Sequence, residues 1–170
     1  MAEDIEQLKA RIKKLNAQGL AVTFDQLGES VTQESEARAA KDGYLRALDA
    51  IAAHQVSSQV SVKLTQIGLD ISPDLCLDNL RQILRRAKEN NTFVTIDMES
   101  SAYTQITLNI FKTMREEFDN VGIVLQSCLY RSQADMQMLY ALGANVRLCK
   151  GAYKEPAEVA FPDKKDVDAS

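Results

Sequence analysis

The chain has 170 residues, 45% of them hydrophobic and 26% charged, the balance of one soluble globular domain with a core of its own. Its net charge is −4, with Lys and Arg interspersed among Asp and Glu, which argues against nucleic acid or an anionic membrane as partner. No apolar run approaches the ~20 residues that span a bilayer, the acidic start MAEDIEQLKA is unlike a signal or transit peptide, and Cys76, Cys128 and Cys149 lie far apart without CxxC spacing; a reduced cytoplasmic chain with neither disulfides nor a metal site is expected.

The hydrophobic period switches repeatedly between helix and strand. Residues 3–18 place Ile5, Leu8, Ile12 and Leu15 on one helical face and run into Gly19, so residues 1–19 read as a leading helix. AVTF (21–24) reads as a strand, and residues 33–53 as a helix presenting Ala37, Ala40, Tyr44, Leu48 and Ile51. His54, at that helix end, is expected to be a surface residue favoured by the helix dipole. QVSVKL (59–64) is a second strand. The next helix opens with Ser72 as N-cap and Pro73 at the first position, where a missing amide is harmless, and carries Leu77, Leu80, Leu84 and Ala87. TFVTIDM (92–98) follows as strand, then a helix over 102–118 with Tyr103, Ile106, Ile110, Met114 and Phe118 on one face, then the strand GIVLQ (122–126). A fifth helix is expected with Ser132 as cap, Asp135 in its first turn and Gly143 as its stop, before the strand VRLCK.

Strict alternation with short loops implies right-handed βαβ units and a parallel sheet, either doubly wound or a (β/α)8 barrel. No GxGxxG or GxxxxGKS turn follows any strand, which weakens a dinucleotide or P-loop reading. Every strand ends in polar residues: Asp25 and Glu29, then Lys63, Asp97 with Glu99, Gln126, and Arg147 with Lys150. Strand ends meet water, so any one of these alone is more often solvated than catalytic. As a ring on successive carboxyl ends they favour the barrel, whose chemistry sits there. Arg147 is the sharpest case, because a guanidinium among Val146 and Leu148 needs a carboxylate or ligand to offset its desolvation, and Asp97 could supply it. Lys63 could be a Schiff-base nucleophile, as in an aldolase, or a fixed cation for an anionic substrate.

FDQLGE (24–29), SVKLT, TIDMES, GIVLQ and above all VRLCKGAY resemble, in order, the strand motifs of the proline dehydrogenase family, FAD-dependent enzymes on a (β/α)8 barrel. The resemblance runs from about residue 10 to the C-terminus. It implies that Arg147 reaches the flavin N5 region with Asp97 as its partner, that Lys63 contacts the carboxylate of L-proline, and that Gln126 hydrogen-bonds the flavin. It implies too that Lys150, Gly151, Ala152 and Tyr153 wrap cofactor and substrate, with Tyr153 counted among the catalytic residues. Glu29 matches a gate glutamate, and Cys149 stands as a small hydrophobe beside the cofactor. Gly151 has a physical reason of its own, since backbone without a side chain can approach a ligand closely. The implied reaction is hydride transfer from proline to FAD, giving 1-pyrroline-5-carboxylate, with a quinone as acceptor and, through it, a peripheral place at the inner face of a membrane.

The expected architecture is therefore α/β: a partial (β/α)8 barrel of about five parallel strands over residues 20–153, stopping before closure, with 154–170 a polar, mobile tail. Three strands, and the final helix whose paired arginines grip the proline carboxylate in the family, are not in the sequence, so the chain reads as an incomplete and inactive portion of such an enzyme. The alternatives are a non-catalytic barrel fragment that binds flavin weakly or self-associates through open sheet edges, and an aldolase using Lys63 or Lys150.

Overall fold

The computed structural model describes residues 2–169, with side chains described from Lys9 onward. In chain order the elements are α1 (Ala2–Asn16), β1 (Val22–Asp25), α2 (Glu34–His54), β2 (Ser58–Val62), α3 (Pro73–Glu89), β3 (Val94–Ile96), α4 (Thr104–Glu117), β4 (Val121–Gln126), α5 (Ser132–Ala141), β5 (Asn145–Cys149) and α6 (Lys164–Ala169), with single 3₁₀ turns at Thr65–Ile67 and Ser101–Tyr103. The five strands form one sheet in the order β1-β2-β3-β4-β5, and every pair is parallel. A doubly wound sheet reverses its strand order at a switch point. Here each βα unit adds to the same edge, and the strands with their helices make half a barrel.

Alternation along the strands separates two faces. Val60, Val62, Val94, Ile96, Val121, Ile123 and Leu125 are buried under the helices. The opposite parity is polar: Asp25 pairs in register with Ser61, Ser61 with Thr95, Thr95 with Gly122 and Gly122 with Asn145. One step further toward the carboxyl ends the same face carries Lys63, Asp97, Val124 and Arg147, with Val124 opposite Arg147. The ladder persists past β3, since the Asp97 N–H donates to the Val62 carbonyl at 2.9 Å.

The helices cover the outer face. α2 buries Ala37, Ala40, Tyr44, Leu48 and Ile51, the stripe its period predicts. α3 is capped by Ser72, whose hydroxyl accepts from the Leu75 amide at 3.4 Å, and it buries Cys76, Asn79 and Ile83 as well as Leu80, Leu84 and Ala87, whereas Leu77 is only half-buried. In α4 the buried face is turned relative to expectation: Thr104, Thr107, Leu108 and Phe111 join Ile110 and Met114, while Tyr103, Ile106 and Phe118 sit at its margin. The turn before the helix shifts its start to Thr104, and the methyl-bearing threonines pack inward. Arg131, not Ser132, occupies the cap position of α5; the Ser132 hydroxyl donates to the Gln126 carbonyl at 2.5 Å instead. In α1 Ile12 is buried but Leu15 is exposed, and Ile5 and Leu8 lie outside the described side chains. Each large side chain such as Phe111 or Leu84 contributes about 1.5–3 kcal/mol on burial.

The segment expected as a polar tail makes defined contacts. Ala160 bridges Leu129, the Tyr130 hydroxyl donates to the Ala157 carbonyl at 3.0 Å, and the Tyr130 and Phe161 rings meet edge-on at 4.7 Å. Among the described residues no helix is long and apolar enough to cross a membrane.

Candidate active site at the carboxyl ends of the strands

Four charged side chains from four strands interleave on the inner face. The Lys63 ammonium lies 3.1 Å from an Asp25 carboxylate oxygen and 3.8 Å from one of Asp97. Arg147 donates from Nη2 to Asp97 Oδ1 and, at 3.0 Å, to Ser61 Oγ. The arginine in an apolar strand thus has the carboxylate it requires. Asp97 is mostly buried and Arg147 is 38% exposed, so the guanidinium faces the open mouth of the half-barrel while the acid stands behind it. Burial pushes the Asp97 carboxyl above its ordinary value, and Arg147 and Lys63 pull against that shift. Both Arg147 bonds use Nη2, which leaves Nε and Nη1 as donors toward a ligand.

A second cluster lies at the ends of β4 and β5. Gln126 is buried, and its amide nitrogen donates to the Glu99 carbonyl at 2.9 Å, which leaves Oε1 as an acceptor. That oxygen lies 3.5 Å from where a side-chain Cβ on residue 151 would stand. Gly151 has φ +119°, and such a Cβ would also fall 2.3 Å from Cys128 Sγ, so only glycine fits this turn. The Tyr153 hydroxyl donates to Glu29 at 3.1 Å, joining the segment after β5 to the loop after β1 across the mouth. Burial, then Glu29, pushes the Tyr153 hydroxyl up to about 12, so it remains a donor at neutral pH.

The structure therefore brings together Lys63, Asp97 and Arg147, and separately Gln126 with Gly151 and Tyr153 with Glu29. Cys149 and Ala152 are exposed. Lys150 is turned to α6, where its ammonium pairs with Asp168. Sequence reasoning named Asp25 and Glu99 only as polar strand ends and passed over Ser61 and Thr65. The period-two spacing of Ser61 with Lys63 was the available sign that both share the inner face. Lys63 lies between two carboxylates, those of Asp25 and Asp97. An apolar groove of about 530 Å³ between α1, β1 and α2 shares only Asp25 with the charged cluster.

Comparison with known proteins gives this arrangement a context. The family model described as proline dehydrogenase matches residues 8–161. The chain belongs to the proline dehydrogenase family. It is 45% identical over 166 residues to proline dehydrogenase 1 of Bacillus subtilis, covering 98% of this chain and 55% of that protein. It is 39% identical over 171 residues to the proline dehydrogenase of Deinococcus radiodurans, again covering 98% and 55%. Among solved structures, it is similar to proline utilization A from Bdellovibrio bacteriovorus inactivated by N-propargylglycine, with a TM-score of 0.84, 26% identity, and 97% of this chain but 22% of that chain covered. The chain thus spans about half the length of the curated proline dehydrogenases it matches.

Proposed function

We propose that this chain carries the cofactor- and substrate-facing strands of an enzyme that oxidises L-proline to 1-pyrroline-5-carboxylate with FAD. The observation that carries the reading is the Asp25–Lys63–Asp97–Arg147 row, which holds two cations on the concave face at the carboxyl ends of the strands. The residues present fit a flavin. Arg147 has donors to spare beside a site where negative charge develops, Gln126 Oε1 is an oriented acceptor, and Gly151 offers bare backbone. A bound FAD would supply the acceptor for the hydride lost from the proline ring carbon next to nitrogen, with the nitrogen's proton released to solvent. Arg147, held in place by Asp97, would offset negative charge developing at a bound flavin without having to reorganise. Lys63 binds the proline carboxylate, and its two acidic neighbours hold the ammonium in a fixed position on the concave face. Tyr153 and Glu29 close the rim. In this reading Lys150 and Ala152 contribute through the turn that follows β5, Cys149 stands at the end of β5 as a small hydrophobe beside the cofactor, and a quinone at the inner face of a membrane takes the electrons onward, a step supported by the resemblance alone.

The test is anaerobic addition of L-proline to purified protein. The visible flavin band is expected to bleach; protein that acquires no flavin from added FAD and shows no proline oxidation overturns the reading. A second reading is favoured by the open edges of the sheet, where Leu148 on β5 is 58% exposed. In it the chain is a non-catalytic half-barrel that binds flavin weakly and associates with itself through β1 and β5. Sedimentation distinguishes the two, since a flavin-free oligomer that ignores proline fits only the second.

A further inference from the structure

The loop after β1, which carries Glu29, has almost no structure of its own and is held by the 3₁₀ turn after β2. The Ser30 amide donates to Thr65 Oγ1 at 2.9 Å, and the Val31 amide to the Thr65 carbonyl at 3.3 Å. The Gln66 side-chain amide donates to the carbonyls of Gln26 and Leu27 at 3.2 and 3.1 Å, with its own oxygen fixed by the buried Tyr44 hydroxyl at 2.5 Å. Gly28, at φ +133°, lets the chain pass where a Cβ would stand 2.7 Å from that amide nitrogen. The loop is therefore tied along its length, although Leu27 at its tip is 91% exposed.

The turn itself is tied from the next strand. Glu99, 3% exposed, accepts from the Thr65 amide at 3.1 Å with one carboxylate oxygen and from the Thr65 hydroxyl with the other. Because the Thr65 hydroxyl spends its proton on Glu99, its lone pairs are left to accept the Ser30 amide. Among the described residues no cation pairs with Glu99; its partners are neutral donors, and the reaction derived above has no use for it. A buried carboxylate kept on such terms is costly, so its function is to be sought in what it holds.

We infer that Glu99 is a positioning residue: through Thr65 it sets the loop that presents Glu29 to Tyr153 across the mouth of the site. This rests on the reading that Glu29 closes a proline site, and the inference supplies what fixes that closure. Glu99 touches neither substrate nor reacting atoms; it acts at two removes.

The experiment compares Glu99→Gln, Thr65→Val and Thr65→Ser in the intact protein by hydrogen exchange of the 26–31 segment and by steady-state kinetics with L-proline. Exchange at Ser30 and Val31 is expected to accelerate about five- to tenfold in Thr65→Val and Glu99→Gln, the scale of one lost loop hydrogen bond, with the amides of β2 and β3 unchanged; Thr65→Ser, which keeps the hydroxyl, is expected to restore the parent rate. The KM for proline should rise with flavin content constant. Exchange within about twofold of the parent in both Thr65→Val and Glu99→Gln, or no rescue by serine, overturns the inference. If the parent does not oxidise proline, the proposed function fails, while the exchange data still decide whether Glu99 and Thr65 hold the loop.

Discussion

Replacing Arg147 by methionine removes two Nη2 bonds, one to the carboxylate of Asp97 and one to the Ser61 hydroxyl, while keeping most of the aliphatic stem. A hydrogen bond to a charged partner is worth about 1.5–3 kcal/mol and a neutral one about 0.5–1.5 kcal/mol. Arg147 is 38% exposed, so solvent screening cuts the charged contribution, and the expected loss in urea-measured stability is about 1–2 kcal/mol. The catalytic effect should be larger, because a preorganised donor at developing charge is worth about 2.7–4 kcal/mol, or about 10²- to 10³-fold. Anaerobic stopped-flow reduction of the bound flavin by proline should slow by at least about tenfold, and flavin content per protein should fall. A variant with reduction rate and flavin content both within about twofold of the parent would refute the assignment of Arg147 to the cofactor.

Lys63→Ala should weaken proline binding more than flavin binding, as read by titrating each separately; equal loss of both would mark Lys63 as a structural member of the charged row. Gly151→Ala forces a side chain onto φ +119° and to 2.3 Å from Cys128 Sγ, so about 1–3 kcal/mol of stability should be lost together with flavin retention, measured by urea unfolding and absorbance. Tyr44→Phe strips the buried Gln66 oxygen of its donor and should cost about 1–3 kcal/mol in the same unfolding assay. Burial raises the Glu99 carboxyl above its ordinary value of 4.5, so as pH rises the unfolded chain gives up this proton first. The stability that shift contributes is complete below the ordinary value and disappears as pH climbs through the raised one, with a slope of at most about 1.4 kcal/mol per unit. Glu99→Gln should flatten the stability–pH curve in that window; an identical slope in both proteins would contradict it.

Local pattern carried the architecture a long way. The period of α2 named all five of its buried residues, and the polar ends of five strands pointed to a barrel rather than a doubly wound sheet, because both rest on side chains only a few positions apart. The polar strand ends also named Lys63, Asp97 and Arg147, with Asp97 as the partner the arginine needs. The face of α4 was only partly legible, because threonine counts as polar in a sequence whereas Thr104 and Thr107 are buried here and Tyr103, Ile106 and Phe118 sit at the margin of the core.

Partnerships across the fold were another matter. Glu99 meets Thr65 across 34 positions, Tyr153 meets Glu29 across 124, and Lys150 leaves the strand ends for Asp168. Nothing in their spacing encodes this. Strand register and the curvature of the sheet decide which loop overhangs which, and both arise from packing summed over the whole half-barrel, whereas the chemistry of each side chain is written at its own position.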